Sequence, residues 1–362
     1  MEMHDKFRTT RRLMLTLLAA ALIVTLLAMD IVPLAQSKTS AAGSTEPTIA
    51  AGGFHSLALN GDGTVWAWGN NLTGQLGNGT TTNRYTPVQI NGLNDVIAIS
   101  GGTQHSLALK SDGTVWAWGW NYYGQLGDGS TTNRSTPVQV NSLNDVTAIS
   151  GGGTHSLALK NDGTVWAWGD NQAGQLGDGS AIDRSTPVQV DRLSGVISIG
   201  AGLEFSVALK SDGTVWAWGL NDCGQLGDGT STNRSTPVQV SGLNSVSTVV
   251  AGDLHVVALK NDGTVWTWGS NYYGQLGNGT FTYTDPSPLP MQILGLSGVK
   301  TIVAGNAHSL VLKSDGNLWA WGRNTSGQIG DSTTTDRSSP IQVTGLTLST
   351  SSSKSGLWFC SK

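Results

Sequence analysis

Cysteine is nearly missing from this chain of 362 residues, with Cys223 and Cys360 the only two. One stands inside a repeated unit and the other near the C-terminus, so neither a disulfide framework nor a Cys-based metal site is encoded. Charge is scarce as well, at 12% of residues. That is too little to clothe long surface helices, and helix is expected to be rare. The formal net charge of −4 lacks the clustered Lys and Arg that phosphate backbones require, which argues against nucleic acid as a partner. Glu204 is the only glutamate within the repeats. No nucleophile elbow, phosphate-cradling loop or His-Glu metal motif is present, so the expectation is a protein without catalytic residues, cofactor or metal.

Glycine and tryptophan are abundant instead, at 49 and 14 residues. Val-Trp-Ala-Trp-Gly recurs with its first indole at Trp66, Trp116, Trp166 and Trp216; Trp266 (Val-Trp-Thr-Trp-Gly) and Trp319 (Leu-Trp-Ala-Trp-Gly) begin variant copies. A step of about 50 residues marks equivalent supersecondary units, none able to bury its own apolar face. Within each unit an alternating run such as His55–Leu59 is joined by Asp62-Gly63 to Thr64–Gly69. Asp-Gly between alternating runs signals a hairpin, here expected as a two-residue primed turn. A Gly-Gln-Leu-Gly loop (Ile in the last copy) and a short strand after a proline complete about four strands per unit. Period-two alternation puts Trp66 and Trp68 on one strand face and Val65 and Ala67 on the other. Both faces are apolar, so each sheet is expected between two neighbours, as in a propeller.

The N-terminus reads as an address. Lys6, Arg8, Arg11 and Arg12 precede an uncharged run from Leu13 to Met29, and small residues follow around Ala35–Ala42. That is the plan of an export signal over residues 1–37, or of an uncleaved membrane anchor over 13–29. Residues 38–47 read as a flexible linker, 48–346 as the repeat domain and 347–362 as a Ser-rich tail that abandons the repeat. The expected location is secreted or extracytoplasmic.

Ile49-Ala-Ala-Gly52-x-x-His55-Ser-Leu-Ala-Leu59, then Asp-Gly-x-Val-Trp-x-Trp-Gly and Gly-Gln-Leu-Gly, resembles the repeat of the regulator of chromosome condensation (RCC1) family, of the secreted bacterial type. The resemblance implies an all-β fold, a β-propeller built from RCC1-type repeats. Family propellers usually have seven blades. Six copies are present here, giving either six closed blades or an incomplete seven-bladed ring. The resemblance further implies an exported, non-enzymatic scaffold that binds a protein or a surface polymer, as does a secreted relative that covers a β-lactamase. The alternative it implies is guanine nucleotide exchange on a small GTPase, the activity of the family's namesake. Light sensing, known in plant members, is not expected, because their Gly-Trp-Arg-His-Thr motif is replaced here by sequences such as Gly-Thr-His-Ser.

Residues identical in every copy serve the shared scaffold. His55, His105, His155, His255 and His308 share one position, yet the fourth copy has Phe205 there, which assigns the site to packing rather than to metal or proton transfer. Arg84, Arg134, Arg184, Arg234 and Arg337 likewise read as scaffold, and the Asp-Gly and Asn-Gly sites as turns. Variation concentrates just after the tryptophan strand and just before the histidine. The candidate ligand-binding residues there are Phe54, Trp120, Tyr122, Tyr123, Glu204, Tyr272 and Tyr273, with Phe281 and Tyr283 in an irregular insertion of the fifth copy. Loop aromatics offer large rigid contact area at modest entropic cost.

Overall fold

A computed structural model describes residues 47–348 of the chain. The expected segment 1–37, all but the last residue of the 38–47 linker and all but the first two residues of the 347–362 tail lie outside the described residues; Thr347 ends the last strand of blade 6. Within them the chain is all strand, arranged as six four-stranded antiparallel sheets, each in simple meander order. These are the blades of a β-propeller: blade 1 (residues 48–89), blade 2 (96–139), blade 3 (146–189), blade 4 (196–239), blade 5 (246–292) and blade 6 (299–347).

The alternation in the tryptophan strand sets the stacking. Leu157, Leu159, Val165 and Ala167 of blade 3 form an exit face, which packs on an entry face of blade 4 made by Ala208, Trp218 and the edge of Trp216. Five such cores join blades 1–2, 2–3, 3–4, 4–5 and 5–6. Among the described residues none joins blade 6 to blade 1, so the ring is open at that point.

The two indoles of each strand differ in role. The second (Trp118, Trp168, Trp218, Trp268, Trp321) is fully buried, and its Nε1 donates to the carbonyl of the Gly-Gln-Leu-Gly glutamine in the preceding blade at 2.8–3.0 Å. Burial of that size contributes on the order of 4–6 kcal/mol gross per ring, and the bond removes the cost of desolvating the N–H. The first indole is only half-buried and in blades 2 to 6 lies beneath a lysine, as Lys110 over Trp116 at 5.5 Å. Trp68 has no preceding blade and is half-exposed.

The Asp-Gly hairpins form at every expected place but not as primed turns. Only the glycine takes positive φ, as Gly113 at 78°, with Gly113 N donating to Lys110 O and Lys110 N to Thr114 O. The aspartate instead accepts from Thr114 N and Oγ1. A side chain that caps the turn favours a three-residue loop with one left-handed glycine over the two-residue form.

Candidate functional site

The two variable zones, about 16 residues apart in sequence, meet in space. In every blade the residue after the tryptophan strand donates its N–H to the carbonyl of the residue before the histidine position. The pairs are Asn70 with Phe54, Trp120 with Gln104, Asp170 with Thr154, Leu220 with Glu204, Ser270 with Leu254 and Arg323 with Ala307, at 2.8–3.0 Å. A glycine at positive φ makes each junction. A Cβ on Gly119 would lie 2.6 Å from the Gln104 carbonyl oxygen, so the close approach depends on its absence. By repeat equivalence these six pairs lie on one face of the propeller.

The loop that follows is anchored from below. Buried Asn121 accepts from Leu126 N and donates to the Ser130 and Thr132 carbonyls, and Gln125 Oε1 accepts from Tyr123 N at 3.0 Å. Gln275 holds Tyr273 N in the same way at 2.8 Å. The variable side chains therefore stand on a rigid backbone.

The candidate aromatics gather into two clusters rather than one. On blade 2, Trp120 stacks on Tyr122 (6.3 Å, 13°) and meets Tyr123 edge-on (5.5 Å). On blade 5, Tyr272 meets Tyr273 and Tyr283 edge-on, both at 4.8 Å, and Phe281 approaches Gly274. Tyr122 and Tyr283 are two-thirds exposed, and Tyr272 and Phe281 are also exposed. Phe54 is half-buried on blade 1, apart from both clusters.

Between the clusters lies an acidic sector that the search for aromatics missed. Asp170 is buried, accepts from Thr154 Oγ1 (2.9 Å) and Gln172 N (3.1 Å), and its carboxyl is pushed up to about 6 by desolvation, with the charges of Glu204 and Asp183 adding to the effect. Glu204, a sequence candidate, thus couples to a neighbouring blade. The signal for Asp170 is its place in the variable zone, where other copies carry Asn, Trp, Leu, Ser and Arg. Arg323, equally unforeseen, lies over the Tyr273 ring at 5.0 Å.

The repeated polar residues serve the interior. His55, His105, His155 and His255 each bond through Nε2 to a serine of the next blade at 2.7–2.9 Å. Burial lowers the His55 imidazole to about 4 and, with the charge of His308 adding, that of His255 to about 3, so both are neutral at pH 7. Where the histidine becomes Phe205, the serine expected opposite it is Val256, and both are fully buried. Arg134, Arg184, Arg234 and Arg337 pair with loop aspartates within their own blade. Among the described residues no group of three or more His, Cys, Asp or Glu could hold a metal ion.

Six repeated four-stranded antiparallel sheets set blade on blade define the class of the protein as a β-propeller, and comparison with known proteins gives its family. The RCC1-like domain model matches residues 34–208, and the regulator of chromosome condensation (RCC1) repeat model matches 212–259, 262–312 and 315–355. The chain belongs to the RCC1 repeat family. Its similarity to human Protein RCC2 is 44% identity over 50 residues, 13% of this chain and 10% of that protein; in mouse RCC2 it is 44% over 55 residues, 14% and 11%. The chain thus spans about a tenth of the curated relatives it matches. Among solved structures, human WBSCR16 is similar with a TM-score of 0.75 and 26% identity, covering 86% of this chain and 89% of that one. Yeast RCC1 (Prp20), from its structure with Kap60, gives 0.73 and 26%, covering 82% and 75%. These relatives are eukaryotic, so they lend nothing to the expected secreted bacterial type. No helix among the described residues is long and apolar enough to cross a membrane.

Proposed function

We propose that the protein is an exported, non-enzymatic RCC1-type propeller that binds another protein through the variable face. The observation that carries this reading is the meeting of two zones that differ between the copies, joined in every blade by a backbone bond on one face, while the shared second indole of each junction is buried between blades. Clusters of tryptophan and tyrosine, with Arg323 over the Tyr273 ring, match the composition of protein-binding hot spots. Export is supported by the basic and then apolar N-terminal sequence. The similarity to Prp20p, a protein described with binding properties toward Gsp1p and histones, supports protein recognition as the task.

The test is affinity capture on the full chain and on the triple variant Trp120→Ala, Tyr123→Ala, Tyr273→Ala. A partner held by the wild type should be lost, by at least about 2 kcal/mol of binding energy. Equal capture by both, or none by either, argues against the reading. The second reading, guanine nucleotide exchange, is favoured by the structural likeness to yeast RCC1 (Prp20). Accelerated release of labelled GDP from a small GTPase would establish it.

A further inference from the structure

The opening between blades 6 and 1 leaves two faces without the partner that every other blade has. Leu157 and Val165, on the exit face of blade 3, are fully buried, whereas their equivalents on blade 6, Leu310 and Leu318, are half-exposed, although Leu312 and Ala320 beside them are buried. Gln75, Gln125, Gln175, Gln225 and Gln275 each offer a carbonyl to a tryptophan Nε1 of the next blade. Gln328 is the sixth of this series, and no bond to it is made by the described residues of blade 1. Trp68 and Ser56, the corresponding donors, stay half-exposed.

The path of the chain indicates what covers blade 6. At the start of blade 3, Val146 N donates to Gly113 O in the hairpin of blade 2; Val196 with Gly163 and Val246 with Gly213 repeat this bond at later blades. It marks the point at which the chain leaves one blade and begins the innermost strand of the next. Leu348 N donates to Gly316 O of blade 6 at 2.9 Å, so Leu348 stands where a following blade would begin. The repeat model points the same way. Its copy at 212–259 starts at one hairpin and ends in the second strand of the following blade, and its copy at 315–355 has the same phase, running past residue 348. Ser349–Lys362 then carries one apolar run, Leu357-Trp358-Phe359, behind Gly356.

We infer that residues 349–362 dock on the exit face of blade 6, taking the position of the next blade's first strands and packing Leu357, Trp358 and Phe359 over Leu310 and Leu318. Fourteen extended residues reach roughly 46 Å, enough to cross one blade and turn back. The interface continues one the molecule already builds five times, and Trp358 supplies an indole N–H of the kind the Gln328 carbonyl lacks. It is separate from the variable face, so its failure leaves the proposed function untouched.

The test is thiol accessibility at Leu310→Cys in a Cys223→Ser, Cys360→Ser background. The full chain is compared with the chain truncated after Leu348 and with Trp358→Ala, and circular dichroism checks that all three are folded. Labelling by a water-soluble maleimide should be at least about ten-fold slower in the full chain than in the truncation, with Trp358→Ala in between. Equal rates in the full and truncated chains overturn the inference. Protection that survives truncation and deepens with protein concentration overturns it too, assigning the face to a second copy.

Discussion

At the residue scale, the repeats perform a mutation experiment on themselves. Four of the blade junctions carry a His–Ser hydrogen bond, and the junction of blades 4 and 5 carries Phe205 and Val256 instead. A histidine left opposite valine would be buried with Nε2 unbonded, at about 1–3 kcal/mol, whereas a serine left opposite phenylalanine keeps its bond to the glutamine carbonyl, as Ser156 Oγ does to Gln125 O. His105→Phe with Ser156→Val should therefore cost less than the sum of the two single changes, by about 1 kcal/mol in a denaturant double-mutant cycle; strict additivity would deny the pairing. The same burial sets a pH dependence. The folded state holds His55 and His255 below the ordinary imidazole value, so on acidification the unfolded chain takes up protons first. Stability is complete above about pH 6.5 and falls as pH drops toward the folded values, by on the order of 3 kcal/mol for His55 alone. Asp170, shifted upward, acts oppositely, losing stability as pH rises from about 4 to 6, and partly offsets the loss. Melting temperatures between pH 7 and 4 should fall overall, and fall less steeply in a His255→Phe, Ser309→Val variant. An unchanged slope would show that these imidazoles are not what titrates.

At the element scale, the blade is held by places where a side chain would not fit. A Cβ at Gly102 would stand 2.1 Å from His105 Cε1, whereas at Gly113 it would meet nothing nearer than Asp145 N at 3.0 Å, and the positive φ adds its strain. Gly113→Ala should cost about 1 kcal/mol, and Gly102→Ala distinctly more because the buried ring must move. Comparable midpoints in urea for the two variants would undo this ranking. Such contrasts also show what was readable in the sequence. The 50-residue period, the Asp-Gly punctuation and the two-faced tryptophan strand specify a four-stranded blade, since each is local chemistry repeated. The Phe205 exception likewise gives the histidines a structural role before any coordinates. The turn type was not legible, because Asp112 chooses between backbone and side-chain acceptors only once Thr114 is in place. Nor was the unequal burial of the indoles, which depends on the neighbouring blade's Gln carbonyl. The candidate face was half legible: variation between copies located Trp120, Tyr123 and Tyr273, but the meeting of Asp170 with Glu204 joins residues of different blades, and no spacing rule announces it.

At the scale of the whole molecule, an open arc has ends where a closed ring has none. Blades 2 to 5 are each clasped on both faces by apolar cores, while blades 1 and 6 are clasped by another blade on one face only. Stability in such an array is close to a sum of unit and junction terms, so an end blade is secured by one junction where an interior blade has two. Opening should begin at the ends and move inward. Native-state hydrogen exchange provides the measure, read on the second strand of each blade, where the backbone bonding is the same and only the neighbours differ. The amides of 55–59 and 308–313 should exchange through openings of lower free energy than those of 155–160 and 205–210, by about the value of one junction, several kcal/mol. Docking of the C-terminal segment would raise the protection of blade 6 above that of blade 1 without bringing it level with blade 3, because fourteen residues replace only part of a blade's face. Uniform protection across all six second strands would mean that the end blades are clasped as the others are, and the molecule would then behave as a closed ring.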